Sequence, residues 1–160
     1  AVKKGVEAAQ GKKILFMDAD GATPPSEIPK MLEKLDQYDV VVGDRTSPQS
    51  RIERSIVREI TGRTFNSYVR ILFQDGIPDH LCGFKGFKKH VAKELFNKLT
   101  TYRWIFDVEL FYLIKKNNYS LFKLPICWGY KKDSRLRYWD PVKMAFQLIA
   151  LRYNLWRKRS

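Results

Sequence analysis

The sequence predicts an α/β fold, a mostly parallel sheet with flanking helices, formed as one domain over residues 1–160. Three observations predict it. Ile14-Leu15-Phe16-Met17 is a continuous apolar run that reads as a strand buried on both faces. Asp39-Val40-Val41-Val42-Gly43 is a second run of the same kind. A helical pattern precedes each run, and helix, strand, helix, strand is the alternation of a parallel sheet.

The elements follow in order. Ala1 to Gln10 reads as a helix, with Val2, Val6 and Ala9 on one stripe and Gly11 as its stop. Opening on a helix and on Ala1, the chain is expected to begin inside a fold, as a partial domain whose earlier strands are absent. After the first strand, Thr23-Pro24-Pro25-Ser26 opens a helix that buries Ile28, Met31, Leu32 and Leu35. The second strand ends in Asp44-Arg45, on the same sheet edge as Asp18 and Asp20. A polar loop, Thr46 to Ser50, leads to a long amphipathic helix over about 51–73. Its apolar set changes phase at Gly62, which predicts a kink or break there. Gly76 to His80 is a turn, Cys82 to Phe87 an extended segment near a site, and His90 to Leu99 a helix. Asp107 is placed to cap a helix over Val108 to Lys116. Tyr119 to Trp128 alternates as an edge strand, with Pro125 arguing for the edge. Lys131 to Arg137 is a basic loop. A last helix, 141–157, starts at Asp140-Pro141 and carries Val142, Ala145, Phe146, Ile149, Tyr153 and Trp156 as its apolar stripe.

Charge narrows the partners. With 30 Lys+Arg against 17 Asp+Glu, the formal charge is +13. That excess suits nucleic acid, an anionic membrane surface or phosphorylated substrates, or a basic surface that is only soluble. No nucleic-acid motif is present, so no nucleic acid partner is expected. Cys82 and Cys127 lack metal-ligand spacing, and with two histidines a zinc site is not expected. Reduced cysteines fit best. No run of 18 apolar residues is present, so no helix is expected to span a bilayer. The 51–73 helix, cationic and aromatic, fits an interfacial helix and equally a core-facing one with a solvated side. Aromatics beside Arg157-Lys158-Arg159 suit a bilayer interface at the last helix.

Asp18-Ala19-Asp20-Gly21 carries the chemistry. In an open α/β sheet, ligands sit past the carboxyl ends of the strands. Two carboxylates there can converge on one hard cation, Mg²⁺ or Mn²⁺, once Gly21 lets the chain bend. A polar turn is the simpler reading. A haloacid-dehalogenase-type phosphatase also fits the pair, but it needs later residues that this order does not supply. A sugar-nucleotide transferase fits too, because a cation neutralises a departing diphosphate. A phosphate acceptor is largely dianionic at neutral pH and needs cations more than a base. Arg45, Arg58, Lys85 and Arg135 are the candidates, each of them a surface cation in the simpler reading. Asp107 is either a cap or a contact to donor sugar or attacking oxygen. Asp79 is taken as a turn residue ordering Lys85.

The wider pattern is more specific. Lys12-Lys13-Ile14-Leu15-Phe16-Met17-Asp18-Ala19-Asp20-Gly21 is followed by Asp39-Val40-Val41-Val42-Gly43-Asp44-Arg45. Next come Asn66-x-x-Val69-Arg70-x-Leu72-Phe73, Cys82-Gly83-Phe84-Lys85-Gly86-Phe87 and Trp104-x-Phe106-Asp107-Val108-Glu109-Leu110. In this order the chain resembles family-2 glycosyltransferases of the dolichyl-phosphate glucosyltransferase and dolichol-phosphate mannosyltransferase kind. The resemblance implies a GT-A fold, incomplete at the N-terminus, with amphipathic membrane-interface helices. It implies inverting, metal-dependent transfer of a hexose from a nucleoside-diphosphate sugar to a polyprenyl or dolichyl phosphate, at the cytoplasmic face of a membrane. UDP-glucose is favoured over GDP-mannose as donor. Asp18 and Asp20 would hold metal and donor, with Asp44 beside the donor. Asp20 and Asp107 are the catalytic candidates. Arg45, Arg58, Lys85, Ser134 and Arg135 would meet the acceptor phosphate. One departure is a Pro-x-Tyr-Asn-Glu-like strand at the family's start, absent here, so the nucleotide pocket is expected to be incomplete. The competing class is a non-catalytic basic module that binds membranes or nucleic acid.

Overall fold

A computed structural model describes residues 1–52, 56–102, 105–129 and 140–157, with only helical backbone for 56–61 and 140–142. Helices α1 (Val2–Ala8), α2 (Ile28–Gln37), α3 (Ile56–Phe73), α4 (Lys89–Lys98), α5 (Phe106–Lys116) and α6 (Asp140–Arg157) surround strands β1 (Lys13–Phe16), β2 (Val40–Asp44), β3 (Arg51–Ile52), β4 (Lys85–Lys88), β5 (Leu121–Pro125) and β6 (Cys127–Trp128). A four-stranded sheet runs β1-β4-β2-β5, and β3 pairs with β6 in a second, two-stranded sheet. β2 and β5 are parallel, and β4 is antiparallel to both β1 and β2. Three of the four strands therefore share one direction, with β4 reversed between two of them. No sequence signal announces that reversal, because Lys85–Lys88 is short and half polar.

Each face of the sheet buries one core. Val40 and Val42 of β2 and Phe87 of β4 pack with Phe96 of α4 and Phe111 of α5. Val41, on the opposite face, packs with Met31 and Leu35 of α2 and with Cys82 and Phe84. This is strand alternation at work: neighbours point to opposite faces, so an all-apolar β2 feeds both cores. β2 is buried along its whole length, as its sequence predicts.

β1 departs from expectation. Only Ile14 is buried in it, and Leu15, Phe16 and Met17 are half-buried. β1 is an edge strand among the described residues, so neighbours cover it on one side only. Other corrections are local. Arg51 and Ile52 are strand rather than helix, because they pair with Cys127 and Trp128. α3 runs unbroken through Gly62. The predicted 119–128 strand is two strands, split at Ile126, with β5 on the edge as Pro125 suggested. α6 buries Met144, Leu148, Leu151 and Leu155, while Phe146, Ile149, Tyr153 and Trp156 are exposed. The predicted stripe is thus a second apolar face. The core takes the other.

Candidate active site

The acidic pair stands where β1 ends. Asp20 Oδ1 accepts the Ala22 N–H at 2.9 Å, closing an Asx turn around Gly21 at φ +69°. That positive φ is why glycine serves the bend. Asp18 points to another partner. β1 and β4 pair Phe16 with Lys85, and two residues further on the same register sets Asp18 opposite Gly83. The Asp18 carboxylate occupies the space that a side chain at 83 would fill. Burial and the nearby Asp20 charge push the Asp18 carboxyl above its ordinary range, and Lys85 and Arg45 pull the other way.

Lys85 lies beneath. Its side chain is wholly buried, and Nζ donates to Cys82 O at 2.6 Å, Asp107 Oδ1 at 2.7 Å and His80 O at 3.3 Å. The ammonium also stands 5.4 Å from the Phe111 ring centre and 5.9 Å from that of Phe16. An ammonium has three N–H donors, and all three are spent. Lys85 is therefore not a phosphate-binding cation but an internal tie. Asp107 sits in the first turn of α5, whose cap position is Ile105, so it is not the predicted cap. Burial pushes the Asp107 carboxyl up more than Lys85 pulls it down, and the Asp18 charge adds to the rise. Asp107 and Glu109 face apart, as their spacing allows. Glu109 is buried and accepts from the N–H and hydroxyl of both Thr100 and Thr101, at 2.6–3.0 Å.

Arg45 is also committed. Its Nε and Nη2 donate to Asp79 Oδ2 and Oδ1 at 2.7 and 2.8 Å, its N–H to Oδ2 at 3.1 Å, and its guanidinium stacks 5.3 Å from the Trp128 ring centre. A planar fork on a carboxylate is the strong form of this pair. Burial pushes the Asp79 carboxyl up, but the Arg45 fork and charge outweigh it and hold it below its ordinary value. Asp79 thus orders Arg45 rather than Lys85. Asp44 turns its Oδ1 to the N–H and hydroxyl of Thr46 at 2.8 and 2.6 Å, so that oxygen serves the turn after β2 instead of a donor. The Arg58 side chain, Ser134 and Arg135 lie outside the described residues, as does the predicted basic loop.

Behind Lys85, His80 is wholly buried between Asn66 Oδ1 at 3.2 Å and Asp75 Oδ2 at 2.8 Å, edge-on to Phe111. Sequence reasoning missed this cluster and the Arg45–Asp79 pair. Arg45 and Asp79 are 34 residues apart and Asn66 and His80 are 14 apart, and the nearer Asp75–His80 contact matches no motif read from the sequence.

Asp18 and Asp20 fit a hard divalent cation. Both are exposed at a strand end, and each raises the question of a countercharge, since Asp20 destabilises the charged form of Asp18. No cluster of three or more His, Cys, Asp or Glu ligands occurs among the described residues. One or two carboxylates completed by substrate phosphates and water is the usual arrangement for Mg²⁺.

Comparison with known proteins identifies the family and the fold. The model of glycosyl transferase family 2 matches residues 1–96. A dolichyl-phosphate beta-glucosyltransferase of Dictyostelium discoideum is 32% identical over 176 residues, spanning 100% of this chain and 53% of the relative. The Homo sapiens dolichyl-phosphate beta-glucosyltransferase is 32% identical over 162 residues, 95% of this chain and 50% of its own length. The chain spans about half the length of the curated relatives it matches. A crystal structure of glucosyl-3-phosphoglycerate synthase from Mycobacterium tuberculosis with uridine diphosphate superposes at TM-score 0.59 and 17% identity, over 96% of this chain and 52% of the other. That likeness fixes the fold, GT-A, as expected.

Proposed function

We propose that this chain, which belongs to glycosyl transferase family 2, carries donor-site residues of an enzyme that transfers glucose from UDP-glucose to dolichyl phosphate. The observation that carries the reading is the stack at the end of β1: Asp18, with Lys85 and Asp107 beneath it, the first two within the segment matched by the family model. Its relatives' names support glucose and dolichyl phosphate. The uridine diphosphate in the superposed crystal structure supports a uridine donor over GDP-mannose.

The chemistry follows from the residues. Asp18 and Asp20 would hold a Mg²⁺ or Mn²⁺ ion, which would supply the positive charge that neutralises a departing diphosphate. Asp107 is fixed by Lys85 where it meets the donor sugar. The acceptor phosphate, largely dianionic at neutral pH, attacks the anomeric carbon and needs no strong base. One displacement inverts that carbon. Arg45, held by Asp79 and Trp128, sets a fixed positive charge near the acceptor.

The acceptor's lipid places the site at a membrane. No helix among the described residues is long and apolar enough to cross one. α6 instead exposes Phe146, Ile149, Tyr153 and Trp156, with Ile71 of α3 also exposed. Arg152 lines a groove with Leu72, Ile149, Tyr153 and Trp156. An apolar face with aromatic and cationic borders, on a chain of charge +13, suits an anionic leaflet. Each cation near that surface adds about 1 kcal/mol, and anionic lipid is concentrated on the cytoplasmic side.

The test is transfer of radiolabelled glucose from UDP-glucose to dolichyl phosphate by the full-length protein that contains this segment, with Mg²⁺ or Mn²⁺ and with GDP-mannose as competing donor. Transfer is expected with UDP-glucose and is expected to vanish on Asp18→Ala. No transfer from either donor would sink the reading.

A further inference from the structure

We propose that Gly83 is a positioning residue for Asp18: the missing side chain at 83 makes the slot in which the Asp18 carboxylate stands, facing the donor. The consequence rests on the donor-site reading above, whereas the slot itself is a matter of geometry.

Three observations define the slot. The β1–β4 register, continued two residues past its last pair Phe16–Lys85, brings Asp18 opposite Gly83, and opposed residues on paired strands project to the same face. A Cβ built at 83 would meet Asp18 first, with Oδ2, Cγ and Oδ1 as its three nearest atoms, all inside contact distance. Among the described glycines only Gly21 and Gly76 have positive φ, so the backbone at 83 does not itself require glycine. The requirement is therefore spatial, and a single flexible carboxylate imposes it.

Gly43 makes the contrast. A Cβ there would press on Cys82 Sγ at 2.8 Å and Ile126 Cδ1 at 3.0 Å, inside a packed core. A Cβ at 83 presses on the exposed end of one side chain, which can swing away. Alanine at 83 should therefore leave the fold intact while turning Asp18 away from Lys85 and Arg45 and out of line with Asp20. A site that needs both carboxylates then loses one of them without losing the residue.

The test is a mutant cycle in the full-length protein: Gly83→Ala, Asp18→Ala and both together. Uridine diphosphate binding with Mn²⁺ is read by calorimetry, and Tm is read alongside. Gly83→Ala is expected to weaken binding about ten-fold, as displacing a support of a metal ligand does. Its Tm should stay within about 2 °C of the wild type. In the Asp18→Ala background the glycine substitution should change nothing further. Equal losses in both backgrounds, or no loss in the first, would overturn the proposal. If the wild type binds no uridine diphosphate at all, the donor reading fails separately. Crystal structures of wild type and Gly83→Ala then decide the slot: a rotated Asp18 supports it, and an unmoved Asp18 refutes it.

Discussion

Replacing Lys85 with methionine tests the interior of the site. The substitution keeps the chain length and removes the ammonium, leaving Asp107 Oδ1, Cys82 O and His80 O without their donor. Breaking one side of a buried ion pair costs about 3–5 kcal/mol. Each stranded carbonyl adds about 1 kcal/mol or more where water cannot reach it. Taking the lower figures for the pair and for both carbonyls gives a loss of about 5 kcal/mol at pH 7, a large share of the roughly 5–15 kcal/mol of a typical domain. The loss carries a pH signature. The Asp107 carboxyl is already above its ordinary value through burial, and without Lys85 it rises further. A raised folded-state value means that the native state binds the extra proton, so stability falls as pH climbs from the ordinary value through the raised one. Lys85→Met should therefore lose more at pH 7 than at pH 4. Lys85→Met with Asp107→Leu should recover part of the loss, since an apolar pair strands no charge. Urea unfolding at both pH values, with unchanged slope, measures each term. A loss below about 1 kcal/mol at pH 7, or one independent of pH, would refute the buried-tie account of Lys85.

Other perturbations follow from the same contacts. Asp79 is held low by Arg45, so its stabilisation is present above the ordinary carboxylate range and lost as pH falls through the lowered value. Asp79→Asn should flatten the acid limb of stability against pH, and an unchanged limb would count against the pair. Glu109→Ala removes acceptors from Thr100 and Thr101 and should cost about 3 kcal/mol, with faster amide exchange at those two residues. Burial and the Asp79 charge push the Cys82 thiol up to about 11, so at pH 7 iodoacetamide should label half-buried Cys127 and spare Cys82 until the protein unfolds. Tyr153→Ser with Trp156→Ser should abolish sedimentation with vesicles of phosphatidylserine and phosphatidylcholine while leaving Tm unchanged, because both side chains are exposed.

How far the sequence could be read depended on range. β2 was legible because five successive buried residues need a continuous apolar run. α2 was legible because Met31 and Leu35, one helical turn apart, are both fully buried. Asp18 and Asp20 were legible as a pair because their turn is local and sealed by Ala22. Lys85 reads from sequence as a phosphate-binding or surface cation, not a buried one, because lysine is almost always exposed. Its burial depends on Asp107, 22 residues away, and on two carbonyls that carry no sequence signal. The carboxylate that holds Arg45 was equally out of sight of the sequence, 34 residues away. α6 was legible as a helix but not in orientation. Met144-Leu148-Leu151-Leu155 and Phe146-Ile149-Tyr153-Trp156 both repeat at helical spacing, and only tertiary packing, with α3 as neighbour, chooses between them.

The string Cys82-Gly83-Phe84-Lys85 shows how one short segment meets several demands at once. Cys82 and Phe84 belong to the core on the α2 side of the sheet. Gly83 and Lys85 alternate to the other face, where Asp18 stands over the first and Asp107 bonds the second. Two strand residues span about 7 Å, so an ammonium rooted at 85 can lie beneath a carboxylate that rests on 83. The Lys85 charge is then felt by Asp18 without direct bonding, and it is the first influence that lowers Asp18's raised value. The β2–β4 register, carried on in the same way, sets Asp44 on the other side of Gly83. Asp18, Gly83 and Asp44 thus fall in one row across three strands. A side chain in the middle of that row would crowd the acid at its edge, whereas a glycine leaves the sheet end open to a ligand.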